Sequence, residues 1–193
     1  SKRLLRTRWA RWSVSYCGIF ISGWAHPGCT LSAVAEQVPQ FSSVIKTSPA
    51  ELLPQPDAQG EPATPDATSA YATALLRRIR DSSKPVVLVG WSTGALIALE
   101  AVLADTHPVS ALVLISGTAS FCRSTRSSWG VPEASLRAMT RALRRHPEPV
   151  LDDFFVRASA PATLPGGRLD RKIDWALSTG TESLCAGLNY LRN

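Results

Sequence analysis

The sequence is short of the features that would direct its interpretation elsewhere. Charged residues make up 19% of the 193 positions, below the roughly 25% usual for soluble domains. Hydrophobic residues make up 45%, which excludes a disordered chain and leaves enough apolar surface for one core. No apolar run approaches the roughly 20 residues that cross a bilayer, so a soluble protein with no membrane partner is expected. The four cysteines, Cys17, Cys29, Cys122 and Cys185, are widely spaced and form no C-x-x-C pair. That argues against metal or redox use and fits small apolar side chains in a reducing cytoplasm. There is no internal repeat, no G-x-G-x-x-G and no P-loop lysine, so nothing points to a bound nucleotide or other cofactor.

The net charge of +6 is local. Lys2, Arg3, Arg6, Arg8 and Arg11 precede every acid, and Arg137, Arg141, Arg144 and Arg145 cluster later. Neither group carries a nucleic-acid readout motif, so no nucleic-acid partner is expected. The basic start followed by SVSYCGIFISGWA also mimics a secretory leader with a poor cleavage site at Ala25, but the same residues supply a strand that the rest of the chain needs.

Residues 12–22, 41–46, 85–91 and 109–116 read as strands, and 31–38, 69–81 and 94–104 as helices. Residues 47–68 hold five prolines and a glycine with little periodicity and read as a loop. Asp66 or Thr68 is available to cap the helix that follows. The strands at 85–91 and 109–116 are apolar throughout and flank a helix, which implies a parallel sheet covered on both faces. After Gly117 only helices remain, at 132–145, 148–158, 170–179 and 181–191. The expected organisation is therefore an α/β core over 1–117 and a helical cap over 118–193, laid across the carboxyl edge of the sheet.

Inside this frame one polar residue is out of place. In Gly90-Trp91-Ser92-Thr93-Gly94 a serine interrupts a buried strand just before a helix. The G-x-S-x-G pattern between strand and helix predicts a sharp turn that exposes the serine hydroxyl, with small residues at Gly90 and Gly94 because neighbouring backbone leaves no room. The following helix would offer N–H groups to a developing anion.

With these residues the chain resembles the α/β-hydrolase family, and within it the pimeloyl-acyl-carrier-protein methyl ester carboxylesterases. The resemblance runs from about Ile19 to Leu191. It is carried by SGWAHPG, VGWSTGALIALEA, ALVLISGTASFC and the cap stretches WGVPEASLRAM and AGLNYL. It implies Ser92 as nucleophile, with the N–H groups of Thr93 and Trp24 forming the oxyanion hole and no metal or cofactor. Ser22 departs from the pattern by standing where a histidine is common, and Ala95 by replacing a frequent glycine.

The family also places an acid after a strand that follows the cap and a histidine after the final strand. No residue here matches either position, so the chain is expected to lack the last strands. The strand at 109–116 would then be an apolar edge, and the isolated chain poorly soluble and nearly inactive. His107 would lie at the far edge of the sheet, His146 in a surface turn, and His26 in the oxyanion loop, facing solvent or lining the substrate site. Asp152, Asp153, Asp170 and Asp174 read as solvated cap acids.

An ester or thioester is the implied substrate. Phe121 and Trp129, with Phe154 and Phe155, are candidates to line an acyl pocket, with ordinary core packing as the alternative. Arg137, Arg141, Arg144 and Arg145 share one helical face, which is either a solvated surface or a docking site for an acidic acyl carrier protein. A generic esterase or thioesterase, or a non-catalytic relative that binds a ligand, are the other readings.

Overall fold

The computed structural model describes residues 15–53, 68–105, 109–125, 128–163 and 165–192. Its centre is a four-stranded parallel sheet of β1 (Tyr16–Ile21), β2 (Phe41–Thr47), β3 (Val86–Trp91) and β4 (Val109–Ile115), ordered β2-β1-β3-β4. The pleat sends alternate side chains to opposite faces. Cys17, Ile19, Ile21, Val86 and Leu88 therefore pack against α3 (Ala70–Arg80) and α4 (Thr93–Ala104). Phe20 and Val89 meet Leu31 and Ala35 on the other face, from a short 3-10 turn and α1 (Ser32–Ala35).

Strand β1 leads outward to β2, and β3 leads the opposite way to β4, so the chain changes direction between the central strands. A crevice forms at such a switch point, beyond the carboxyl ends of the strands. The register pairs Ile21 with Gly90, which sets the 22–26 loop directly beside Ser92.

Strand β4 behaves differently from β3 despite its equally apolar sequence. Among the described residues it pairs with β3 alone and forms an edge, with Val113 and Leu114 43% and 40% exposed. The expectation of cover on both faces fails for β4, while the apolar edge expected from the resemblance is what the structure contains. Leu103 of α4 is also bare, at 77% exposure.

The remaining helices are α5 (Glu133–Arg145), α6 (Pro147–Ser159), α7 (Gly166–Ser178) and α8 (Thr181–Arg192). Their apolar stripes close a second core from Leu136, Leu143, Leu151, Phe155, Ala176, Leu184 and Leu188, and this core takes in Trp24 and Ala25 from the loop after β1. The helical layer thus sits on the carboxyl end of the sheet. A polar clasp joins it to α4, where Glu100 accepts hydrogen bonds from the Ser69 N–H (2.5 Å), the Ser69 hydroxyl (2.8 Å) and the Tyr190 hydroxyl (2.9 Å).

Three local readings need correction. Ser69 caps α3 by accepting from the Ala72 N–H, not Thr68, while Asp66 lies outside the described residues. The expected loop opens with α2 (Pro49–Leu52), started by a capping box in which the Ser48 side chain takes the Glu51 N–H and the Glu51 carboxylate takes the Ser48 N–H. In addition α7 begins at Gly166, four residues ahead of expectation.

Candidate active site

Strand β3 ends at Trp91, and the next residue turns the chain abruptly. Ser92 has φ 55° and ψ −120°, a left-handed backbone that costs a residue with a β-carbon on the order of 1–3 kcal/mol. The surroundings enforce the turn. The Ser92 N–H donates to the Ile115 carbonyl at 2.9 Å, and the Ser92 carbonyl accepts from Ala95 at 2.8 Å. A β-carbon at Gly90 would stand 2.5 Å from the Gly94 carbonyl oxygen, and one at Gly94 would stand 2.3 Å from that of Ile21. Both are collisions with main chain, so only glycine fits.

The half-buried Ser92 side chain does not cap α4. It lies against the 22–26 loop, since a β-carbon built on Gly23 would be 3.2 Å from the Ser92 β-carbon and 3.6 Å from its hydroxyl oxygen. Thr93, buried, opens α4, where the first N–H groups of a helix have no partner within it. Trp24 follows Gly23 directly. Its indole N–H donates to the Leu184 carbonyl at 2.8 Å, and its ring meets Phe154 edge to face at 4.7 Å. The structure therefore sets Gly90, Ser92, Thr93 and Gly94 at one turn, with the loop that carries Gly23 and Trp24 against it.

The 22–26 loop is bound to itself. The Ser22 hydroxyl donates to the His26 carbonyl at 2.7 Å, the His26 N–H to Gly23 at 3.2 Å, and His26 Nδ1 to the Trp24 carbonyl at 2.8 Å. A carbonyl can only accept, so Nδ1 carries the proton. His26 is 5% exposed, which corrects the expectation that it faces solvent. Burial pushes its pKa down from 6.5 to about 4; the Trp24 hydrogen bond works against that shift, and the charge of Lys172 adds to it.

Other candidates lie elsewhere. His146 is exposed in the turn between α5 and α6, and Asp152, Asp153, Asp170 and Asp174 are exposed cap residues, Asp153 pairing with Arg157 at 2.8 Å. His107 lies outside the described residues. Phe121 is half-buried against the cap core together with Phe154, and Phe155 is fully buried. Trp129 is 85% exposed, so it faces outward and forms no wall of an enclosed acyl pocket in this structure. The arginines of α5 do share one exposed face. Arg137 pairs with Glu133, and Arg144 pairs with Glu182 at 3.2 Å, whereas Arg141 and Arg145 have no ion-pair partner among the described residues.

Sequence reasoning did not find the aromatic enclosure of His26. Its ring centroid is 4.7 Å from Trp91, 5.2 Å from Phe155 and 6.1 Å from Phe154, residues 65 or more positions away along the chain. Among the described residues, no group of three or more potential ligands could hold a metal ion, and no helix is long and apolar enough to cross a membrane.

The sequence model described as "Alpha/beta hydrolase family" matches residues 19–190. A pimeloyl-[acyl-carrier protein] methyl ester esterase of Nitrosospira multiformis is 37% identical over 59 residues, 31% of this chain and 22% of that protein. Among solved structures, an esterase from Exiguobacterium antarcticum superposes with a TM-score of 0.76 at 16% identity, covering 93% of this chain and 67% of that one. A thermophilic esterase gives 0.60 at 16% identity, covering 91% and 60%, and MenH from S. aureus gives 0.63 at 19%, covering 91% and 65%. The chain thus spans about two thirds of the length of these structures, and their likeness to it is one of fold.

Proposed function

The chain belongs to the alpha/beta hydrolase family, and from that premise we propose that it contributes the nucleophile and oxyanion hole of a serine esterase. One observation carries the reading: Ser92 is held in a strained turn at the switch point of the sheet, its hydroxyl against the oxyanion-loop glycine and not engaged in capping the helix behind it.

In this reading the Ser92 hydroxyl gives its proton to a histidine base and attacks the carbonyl carbon of an ester or thioester. The carbonyl oxygen becomes an oxyanion that accepts from the N–H groups of Trp24 and Thr93. Collapse expels the alcohol or thiol, which takes the proton from the base, and water then releases the acid from Ser92. Removing one oxyanion donor typically costs about 2.7–4 kcal/mol of barrier. His26 is a poor candidate for the base: its Nδ1 proton is committed to the Trp24 carbonyl and its ring is walled by aromatics. By the family resemblance, the base and its acid come from the part of the family's length that this chain does not span.

For the substrate, the short match to the Nitrosospira esterase and the exposed arginine face of α5 support an ester carried on an acidic acyl carrier protein, with a free small ester as the more general case. A retained but uncatalytic elbow is the competing reading, because His26, in the loop beside Ser92, has its Nδ1 proton committed to the Trp24 carbonyl. A fluorophosphonate probe applied to the full gene product separates the two. Labelling is expected at Ser92, with both labelling and p-nitrophenyl ester turnover lost in Ser92→Ala. Turnover that survives Ser92→Ala ends the esterase reading as framed, and a probe that leaves Ser92 unmodified favours the uncatalytic one.

A further inference from the structure

We propose that His26 is a positioning residue, whose imidazole ties the main chain of the oxyanion loop to both the nucleophile turn and the cap. The proposal rests on the reading of Ser92 and Trp24 above and adds to it a residue that neither touches substrate nor takes a proton.

The loop needs such a tie. Ala25 stands at φ 57°, a region that disfavours any residue with a β-carbon, so the 22–26 path persists only if its surroundings over-determine it. Three hydrogen bonds within the loop do so, and two of them involve main-chain atoms of His26. The third is made by its side chain: Nδ1–H donates to the Trp24 carbonyl, fixing the backbone on one side of the Trp24 α-carbon while the proposed oxyanion donor, the Trp24 N–H, lies on the other.

What holds the imidazole is a wall contributed by separate parts of the chain. Trp91, the residue before the nucleophile, meets the ring edge to face, and Phe154 and Phe155 of α6 close it from the cap. Lys172 of α7 lies over the Phe155 ring, 5.3 Å from its centroid. The ring is therefore in contact with the elbow strand, the oxyanion loop and the cap together. α6 thus reaches Trp24 by two routes, its indole through Phe154 and its carbonyl through the imidazole. A residue that merely fills space would need no donor at Nδ1, and that distinction is testable.

Asparagine places an N–H near the position of Nδ1, glutamine reaches instead toward Nε2, and leucine fills the volume with no donor. His26→Asn, His26→Gln and His26→Leu, made in the full gene product, are compared by kcat, KM, melting temperature and amide hydrogen exchange at residues 23–25. His26→Asn is expected to keep kcat within about threefold of wild type. His26→Gln and His26→Leu should lose about tenfold or more in kcat with KM changed by less than about twofold, the signature of an interaction needed in the transition state. Exchange of the Trp24 and Ala25 amides should accelerate in His26→Leu and stay near wild type in His26→Asn. Wild-type kcat and exchange in His26→Leu would overturn the proposal, as would an asparagine variant no better than leucine. If Ser92-dependent turnover is absent altogether, the esterase reading fails, and the exchange comparison still decides whether His26 ties the loop.

Discussion

At Gly94 the obstacle to a side chain is main chain, the Ile21 carbonyl oxygen lying 2.3 Å from where a β-carbon would stand. At Gly187, in α8, the obstacle is the edge of the Trp24 indole at 2.6 Å. Gly94 sits in the first turn of α4, packed on the end of β1, and Gly187 sits in α8, packed on the loop that follows β1. The difference shows how each side is built. Around Ser92 the shape is set by peptide units locked in a parallel ladder, which cannot yield without breaking it. Around Gly187 the shape is set by rings and aliphatic chains, which can repack at modest cost.

The largest expected effect tests the unyielding side. Gly94→Ala drives a methyl group into the β1 carbonyls and should cost about 3 kcal/mol or more, measured as a large fall in melting temperature or a failure to fold. A stable, active Gly94→Ala protein would break the comparison at its root.

Next in size is the pH dependence of the contact between the two sides. Unfolded, His26 takes up its proton near the ordinary 6.5; folded, only near 4. Between those values the unfolded chain binds more protons, so stability present above pH 6.5 is lost as the pH falls toward 4. The loss amounts to at most about 3 kcal/mol. Denaturant titrations of wild type and His26→Leu should differ in slope over that window, and parallel curves would remove His26 from the account.

Smaller again is Gly187→Ala, where the indole must shift against its bond to Leu184 but alanine favours the helix by about 1 kcal/mol over glycine. A net loss of about 1 kcal/mol is expected, and a loss matching that of Gly94→Ala would show the cap to be as rigid as the turn. The smallest effect on folding belongs to the outer face of the cap. Arg137→Glu with Arg141→Glu should change stability by about 0.5 kcal/mol or less, because the one pair removed is exposed. It should nevertheless weaken turnover of a carrier-bound ester several-fold while sparing a p-nitrophenyl ester. Equal loss on both substrates would refute docking at that face.

This contrast also explains what could be read from the residues alone. The turn at Ser92 was legible because its constraints are local: an apolar strand, a serine framed by two glycines, and a helix that follows at once. The capping box at Ser48 and Glu51 was just as local and its signal stood in the sequence, yet the prolines beyond it made the whole stretch look like loop. The double glycine at 166 and 167 likewise concealed the start of α7. Strand β4 read as buried because its composition matches β3, and composition carries no information about how many neighbours a strand has. The place of His26 depends on Trp91, Phe154 and Phe155 arriving from distant segments, and the outward position of Trp129 on how the cap settles. No periodicity encodes either.

The Glu100 clasp bears on how the cap is held to the core. One carboxylate gathers donors from the start of α3 and from Tyr190 near the end of α8, so lifting α8 from α4 would cost the Tyr190 phenol its acceptor while Glu100 kept both Ser69 donors. On the α6 side the contacts are edge-to-face ring packing of Phe154 and Phe155 against Trp24 and His26. α8 is thus tied to α4 by a directional hydrogen bond, and α6 to the loop after β1 by ring contacts.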